Sequence, residues 1–85
     1  MRVEDEIRGA LRAAFRPERL EVINESALHR GHAGDDGSGE SHFRVVLRAG
    51  VFARQSRVAR HRAVHKALGP GIIGRIHALA LDVSG

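Results

Sequence analysis

Cysteine is absent from this 85-residue chain. That one absence removes disulfides, thiolate metal sites, cysteine nucleophiles and thiol exchange. Tryptophan and tyrosine are absent as well, and the aromatic content is three phenylalanines, Phe15, Phe43 and Phe52. Proteins that grip single-stranded nucleic acid stack bases on more aromatics than this. No apolar run approaches the roughly 18 residues of a membrane span. The start, Met1-Arg2-Val3-Glu4-Asp5-Glu6, is acidic and lacks the apolar stretch of a signal peptide, so a cytoplasmic location is the default expectation. The chain also lacks a G-x-S-x-G elbow, a Walker loop, a dinucleotide fingerprint and a convergent pair of acids. Neither an enzyme nor a small-molecule substrate is expected.

What is present is one modest domain, 1–85, with 42% hydrophobic and 28% charged residues, near the globular average. The charge is lopsided. Residues 1–40 carry six arginines against nine acids; residues 41–85 carry seven arginines and Lys66 against Asp82 alone. The second half can therefore attract a polyanion or an acidic protein face.

Periodicity sets the order of elements. Val3, Ile7, Leu11 and Ala14 form one apolar stripe of a helix over 3–15, with acids early, arginines late and Pro17 as a stop. Residues 20–25 read as a strand, 27–41 as a long glycine-rich loop, and 42–49 as a second strand with Phe43, Val45 and Leu47 on one face. Ser56 is a natural N-cap for a helix over 57–68, ended by Gly69 and Pro70. Its apolar face is Ala59, Ala63, Val64, Ala67 and Leu68. Arg60 falls inside that sector and must snorkel or find a partner. Residues 75–83 read as the last strand, with His77, Leu79, Leu81 and Val83 on one face. The result is a two-layer α+β fold, α-β-β-α-β, with a three-stranded sheet.

Six histidines stand out: His29, His32, His42, His61, His65 and His77. His61 and His65, at i and i+4, have the spacing that clamps a metal from one helix, but the glutamate of the zinc-hydrolase pattern is missing; a solvated polar face is the alternative. His29 and His32 lie in the long loop, as free ligands or as exposed polar residues. His77, in an apolar strand, is either a satisfied core residue or a ligand. Gly71-Ile72-Ile73-Gly74 spells the G-x-x-G of KH domains, but between a helix and a strand and without a central basic residue, so it reads as a loop. Arg57, Arg60, Arg62 and Lys66 make a basic helix suited to phosphates, to an acidic protein, or to water alone.

Taken in series, Asn24-Glu25-Ser26, His29, Glu40-Ser41-His42-Phe43-Arg44-Val45-Val46, Arg60-His61-Arg62 and Ile76-His77-Ala78-Leu79-Ala80 resemble the BolA family over residues 3–83. The position after Val64, commonly aromatic in that family, is His65. The resemblance implies a fold similar to a class II KH domain. It also implies a partner: a monothiol glutaredoxin with a Cys-Gly-Phe-Ser motif, sharing a bridging 2Fe–2S cluster in iron–sulfur assembly, trafficking or iron sensing. Glutaredoxin and bound glutathione would supply thiolates and this chain imidazoles: His77 by the I-H-A-L motif, His29 by loop position, His32 in reserve. Two histidines on one iron raise the reduction potential relative to four cysteines. Ligation needs neutral imidazole, so binding is expected to weaken below about pH 6. Some family members are described as DNA-binding regulators. That alternative would use Arg57, Arg60, Arg62 and Lys66, with Phe52 added to the expected docking or nucleic-acid surface.

Overall fold

The computed structural model describes residues 2–29 and 41–85, the side chains of 28 and 29 excepted. The element order is α1 (Val3–Phe15), β1 (Arg19–Asn24), a 3₁₀ turn (Ser26–His29), β2 (His42–Arg48), a second 3₁₀ turn (Gly50–Phe52), α2 (Arg57–Ile73) and β3 (Ala78–Ser84).

Helix α1 spans the expected residues. Glu4, Asp5 and Glu6 occupy its positive end, and Arg8 pairs with Glu4 and Asp5 across one turn. Val3, Ile7 and Leu11 are buried, but Ala14 of the expected stripe is exposed; Ala10 and Phe15 pack on the core in its place. Arg16 adopts a left-handed conformation, φ 46°, and returns its amide to the Arg12 carbonyl. That turn and Pro17 stop the helix.

The sheet is ordered β1-β2-β3. β1 and β2 are antiparallel, with Leu20 opposite Leu47; β2 and β3 are parallel, with Phe43 opposite Leu79. A parallel pair needs a crossover, and α2 provides it. Both helices cover one face, where Val22, Phe43, Val45 and Leu47 meet Ile7 and Leu11 of α1 and Val64, Leu68 and Ile72 of α2 in a single cluster. Each such side chain contributes about 1.5–3 kcal/mol on burial. Leu79, Leu81 and Val83 pack against this cluster from β3, the face expected of them. Alternation puts Arg44 and Arg48 on the other face, where ion pairs join Arg44 to Glu25 and Arg48 to Asp82 at 3.0 and 3.1 Å.

Three expectations need correction. The helix expected to end at 68 resumes after a break: Gly69, with φ 78° and ψ 165°, interrupts α2, and Pro70 restarts it as far as Ile73. Proline suits a first helical position because its missing N–H has no partner to lose there. The G-x-x-G segment therefore sits in a helical turn with Ile72 buried, not in a loop. The last strand starts at Ala78, not at 75. Gly74 and Arg75 close the helix end onto the Pro70 and Ile72 carbonyls, so His77 precedes the strand.

Candidate metal centre and basic helix face

The turn that ends at His29 and the segment that bears His77 converge at one end of the sheet. The hub is Ser26, only 4% exposed. Its hydroxyl accepts the amides of Ser41 and His42 at 2.9 and 3.1 Å and reaches the His42 carbonyl at 3.4 Å. Asn24 Oδ1 accepts the Ser26 amide at 2.9 Å, which starts the 3₁₀ turn ending at His29. The Ser41 carbonyl in turn accepts the amides of His77 (2.8 Å) and Ala78 (3.1 Å). One serine thus ties the turn that ends at His29 to the start of β2, and β2 carries the start of β3.

His77 stands exposed at the mouth of this junction. One ring neighbour is unexpected: the ring centroids of His42 and His77 lie 5.2 Å apart, tilted by 50°. His42 is only 6% exposed, and its Nδ1 lies 2.8 Å from Ser41 Oγ. The His29 side chain and all of His32 lie outside the described residues. For a 2Fe–2S centre, the fitting donor here is the accessible imidazole of His77, with a fixed backbone and a packed neighbour; imidazole is an accepted iron ligand. Among the described residues no three histidine or carboxylate side chains gather into a complete metal site.

His42 is the residue that sequence reasoning missed. Alternation put it with Arg44 on the face opposite Phe43, and its burying partner Ser26 is 16 residues away. The signals available were its place among the six histidines and in Glu40-Ser41-His42-Phe43.

The basic residues part ways. Arg57, Arg62 and Lys66 are exposed on α2; with Val58, His61 and His65, the two arginines line one depression. Val58 is 58% exposed. Arg60 is not part of that surface. Its Nε donates to the Phe52 carbonyl at 2.9 Å and its NH1 to the Val83 carbonyl at 3.1 Å, so it found partners and clasps α2 to the second 3₁₀ turn and to β3. Phe52 must also leave the docking surface: it is 0% exposed and packs on Phe15 at 4.8 Å between centroids. A side chain without surface cannot contact a partner. Arg75 adds a clasp that no periodicity announced. Its guanidinium meets both oxygens of Glu6 at 2.8 and 2.9 Å, joining α1 to the segment just before His77. Glu6 is held below its ordinary carboxylate value of 4.5, chiefly by that hydrogen bond.

A three-stranded mixed sheet under two helices, with an exposed histidine at the entry to its last strand, makes this a small two-layer α+β domain. The family model described as BolA-like protein matches residues 11–84, and the chain belongs to that family. "BolA-like protein 1" of Mus musculus is 47% identical over 80 residues, covering 94% of this chain and 56% of the mouse protein. The chain thus spans little more than half the length of that relative. "DNA-binding transcriptional regulator BolA" of Escherichia coli is 41% identical over 81 residues, covering 95% of this chain and 73% of the relative. The solved structure of BolA1 from Arabidopsis thaliana superposes with a TM-score of 0.80 at 30% identity, covering 95% of this chain and 88% of that one. These names are those of regulators or BolA-like proteins, and no catalytic family is among them. Among the described residues no helix is long and apolar enough to cross a membrane.

Proposed function

We propose that this chain is an iron–sulfur adaptor that pairs with a Cys-Gly-Phe-Ser monothiol glutaredoxin. It would contribute imidazole ligands to a bridging 2Fe–2S cluster whose thiolates come from the glutaredoxin and its glutathione. The observation that carries the reading is the exposed His77 imidazole, hung from the Ser41 carbonyl beside the turn that ends at His29. His77 is the first ligand and His29 the second, with His32 in reserve. The family relationship supports the reading, and the lack of cysteine suits a protein that lends ligands without exchanging thiols. The chain acts without catalysis of its own.

The test is an anaerobic titration of the cluster-loaded glutaredoxin homodimer with this protein, followed by visible circular dichroism. The expected result is a new spectrum saturating at one chain per glutaredoxin. His77→Ala removes that spectrum while leaving the melting temperature of the free chain unchanged, because the side chain is exposed. An unchanged spectrum with His77→Ala defeats the ligand assignment.

A second reading, DNA binding, is favoured by one observation: Arg57, Arg62, His61 and His65 share an exposed depression with Lys66 close by in sequence. The name of the Escherichia coli relative points the same way. If these cations meet phosphates, the logarithm of affinity for duplex DNA falls linearly with the logarithm of salt, with a slope of about −0.9 per phosphate contact. The double variant Arg57→Gln/Arg62→Gln then flattens that slope by roughly two. A slope that stays the same argues against this face.

A further inference from the structure

We propose that His42 is a positioning residue for His77, fixing the direction in which that imidazole is presented to the cluster. The inference rests on the ligand role proposed above for His77. Three observations carry it. The two rings are in contact, centroids 5.2 Å apart at a 50° tilt. His42 is buried, and its own ring is held by a 2.8 Å hydrogen bond between Nδ1 and Ser41 Oγ. The residue that anchors the His42 ring is also the one whose carbonyl takes the amides of His77 and Ala78.

An exposed histidine at a strand entry ordinarily samples several rotamers. Each must be given up when the ring binds a metal, and ordering a side chain opposes binding. His42 removes much of that freedom in advance. It presents a fixed ring against one side of His77, which is exposed. Its position is in turn set from the backbone outwards: the Ser26 hydroxyl fixes the amides of Ser41 and His42, Ser41 Oγ fixes the His42 ring, and the ring fixes His77. Groups that orient a metal ligand without touching the metal typically contribute about 10- to 100-fold in metal affinity. His42 is placed for that role, because no bond from His42 to the iron is needed.

The experiment compares wild type, His77→Ala, His42→Leu, His42→Phe and Ser41→Ala. On the free chain, NMR reads the His77 ring protons. On mixing with cluster-loaded glutaredoxin and competing glutathione, visible circular dichroism reads affinity for the mixed cluster. Gel filtration reads the cluster-free complex. His42→Leu should shift the His77 ring resonances towards those of an unstructured peptide and weaken mixed-cluster formation about 10- to 100-fold, leaving the cluster-free complex intact. His42→Phe, which keeps a ring against His77, should recover much of that loss. A merely structural role would weaken both complexes together and would not be rescued by a ring. Should His42→Leu fail to fold, His42→Phe and Ser41→Ala carry the test, since Ser41→Ala removes the 2.8 Å bond to the His42 ring and should again weaken the cluster complex selectively. The proposal is overturned if the His42 and Ser41 variants form the mixed cluster with wild-type affinity while His77→Ala does not. If His77→Ala also behaves as wild type, the ligand reading itself has failed and His42 has nothing to position.

Discussion

Arg60 offers the sharpest quantitative test, because one substitution separates a structural arginine from its surface neighbours. Arg60→Met keeps the apolar stem against α2 and removes only the guanidinium. Two hydrogen bonds disappear, at 2.9 Å to the Phe52 carbonyl and 3.1 Å to the Val83 carbonyl. Bonds with a charged partner contribute about 1.5–3 kcal/mol each when buried. The Arg60 site is only partly buried, and the Phe52 carbonyl keeps the Gln55 amide at 3.2 Å, so the lower end applies. The expected loss is about 3 kcal/mol in total, a fall of roughly 12–24 °C in Tm for a domain of this size. Arg60→Lys should fall between the two, since one ammonium cannot reproduce a fork aimed at two acceptors. Arg62→Met, two positions away and exposed, should change stability by no more than about 0.5 kcal/mol. Urea denaturation followed by far-ultraviolet circular dichroism gives all three values. If Arg60→Met and Arg62→Met prove equally harmless, the clasp between α2, the second 3₁₀ turn and β3 does not hold the fold together.

Other perturbations follow from the same contacts. Gly69→Ala places a side chain at φ 78° and ψ 165°, a region essentially reserved for glycine, and should cost about 1–3 kcal/mol in a denaturant melt although there is open space around a Cβ. Glu6 is held below 4.5 in the folded state, so the stabilisation from its pair with Arg75 is present above that value and is lost as pH falls through the folded value. The Tm of Glu6→Gln should therefore lie below wild type at pH 7 and converge with it in acid; a constant gap would assign the difference to something other than ionisation. Ser26→Ala deprives two buried amides of their acceptor and should cost about 2–3 kcal/mol, with Ser26→Thr the milder change; a loss below about 0.5 kcal/mol by urea titration would mean that the junction is held elsewhere.

How far the fold was legible depended on whether its cause was local. Helix α1 and strand β2 follow from side-chain period, and the N-cap of α2 from Ser56, whose hydroxyl does accept the Ala59 amide at 3.1 Å. Arg60 was legible as a problem, an arginine in an apolar sector, but not in its solution, because Val83 lies 23 positions on. Phe52 was misplaced for the same kind of reason. Nothing between 50 and 56 has a period, and only the packing of the second 3₁₀ turn beneath Phe15 makes that phenylalanine core. The late start of β3 is set by hydrogen bonds at the end of α2, which leave no signature in alternation. At the candidate site His77 was legible by motif, whereas His42 needed a contact between two segments 35 positions apart.

The parallel pairing of β2 with β3 also has a consequence in time. Its register sets His42 opposite Ala78, 36 positions away, whereas the α1–β1 connection is short. Closing a longer loop costs more entropy before any contact rewards it, and non-local pairings slow folding. The junction that hangs His77 from Ser41 therefore belongs to the late events of folding and the early events of opening. A brief detachment of β3 would take the His77 imidazole away without unfolding α1. Amide exchange should reveal this as weaker protection at His77 and Ala78 than at Val45 in the centre of the sheet, so that the candidate site is also where the molecule first comes undone.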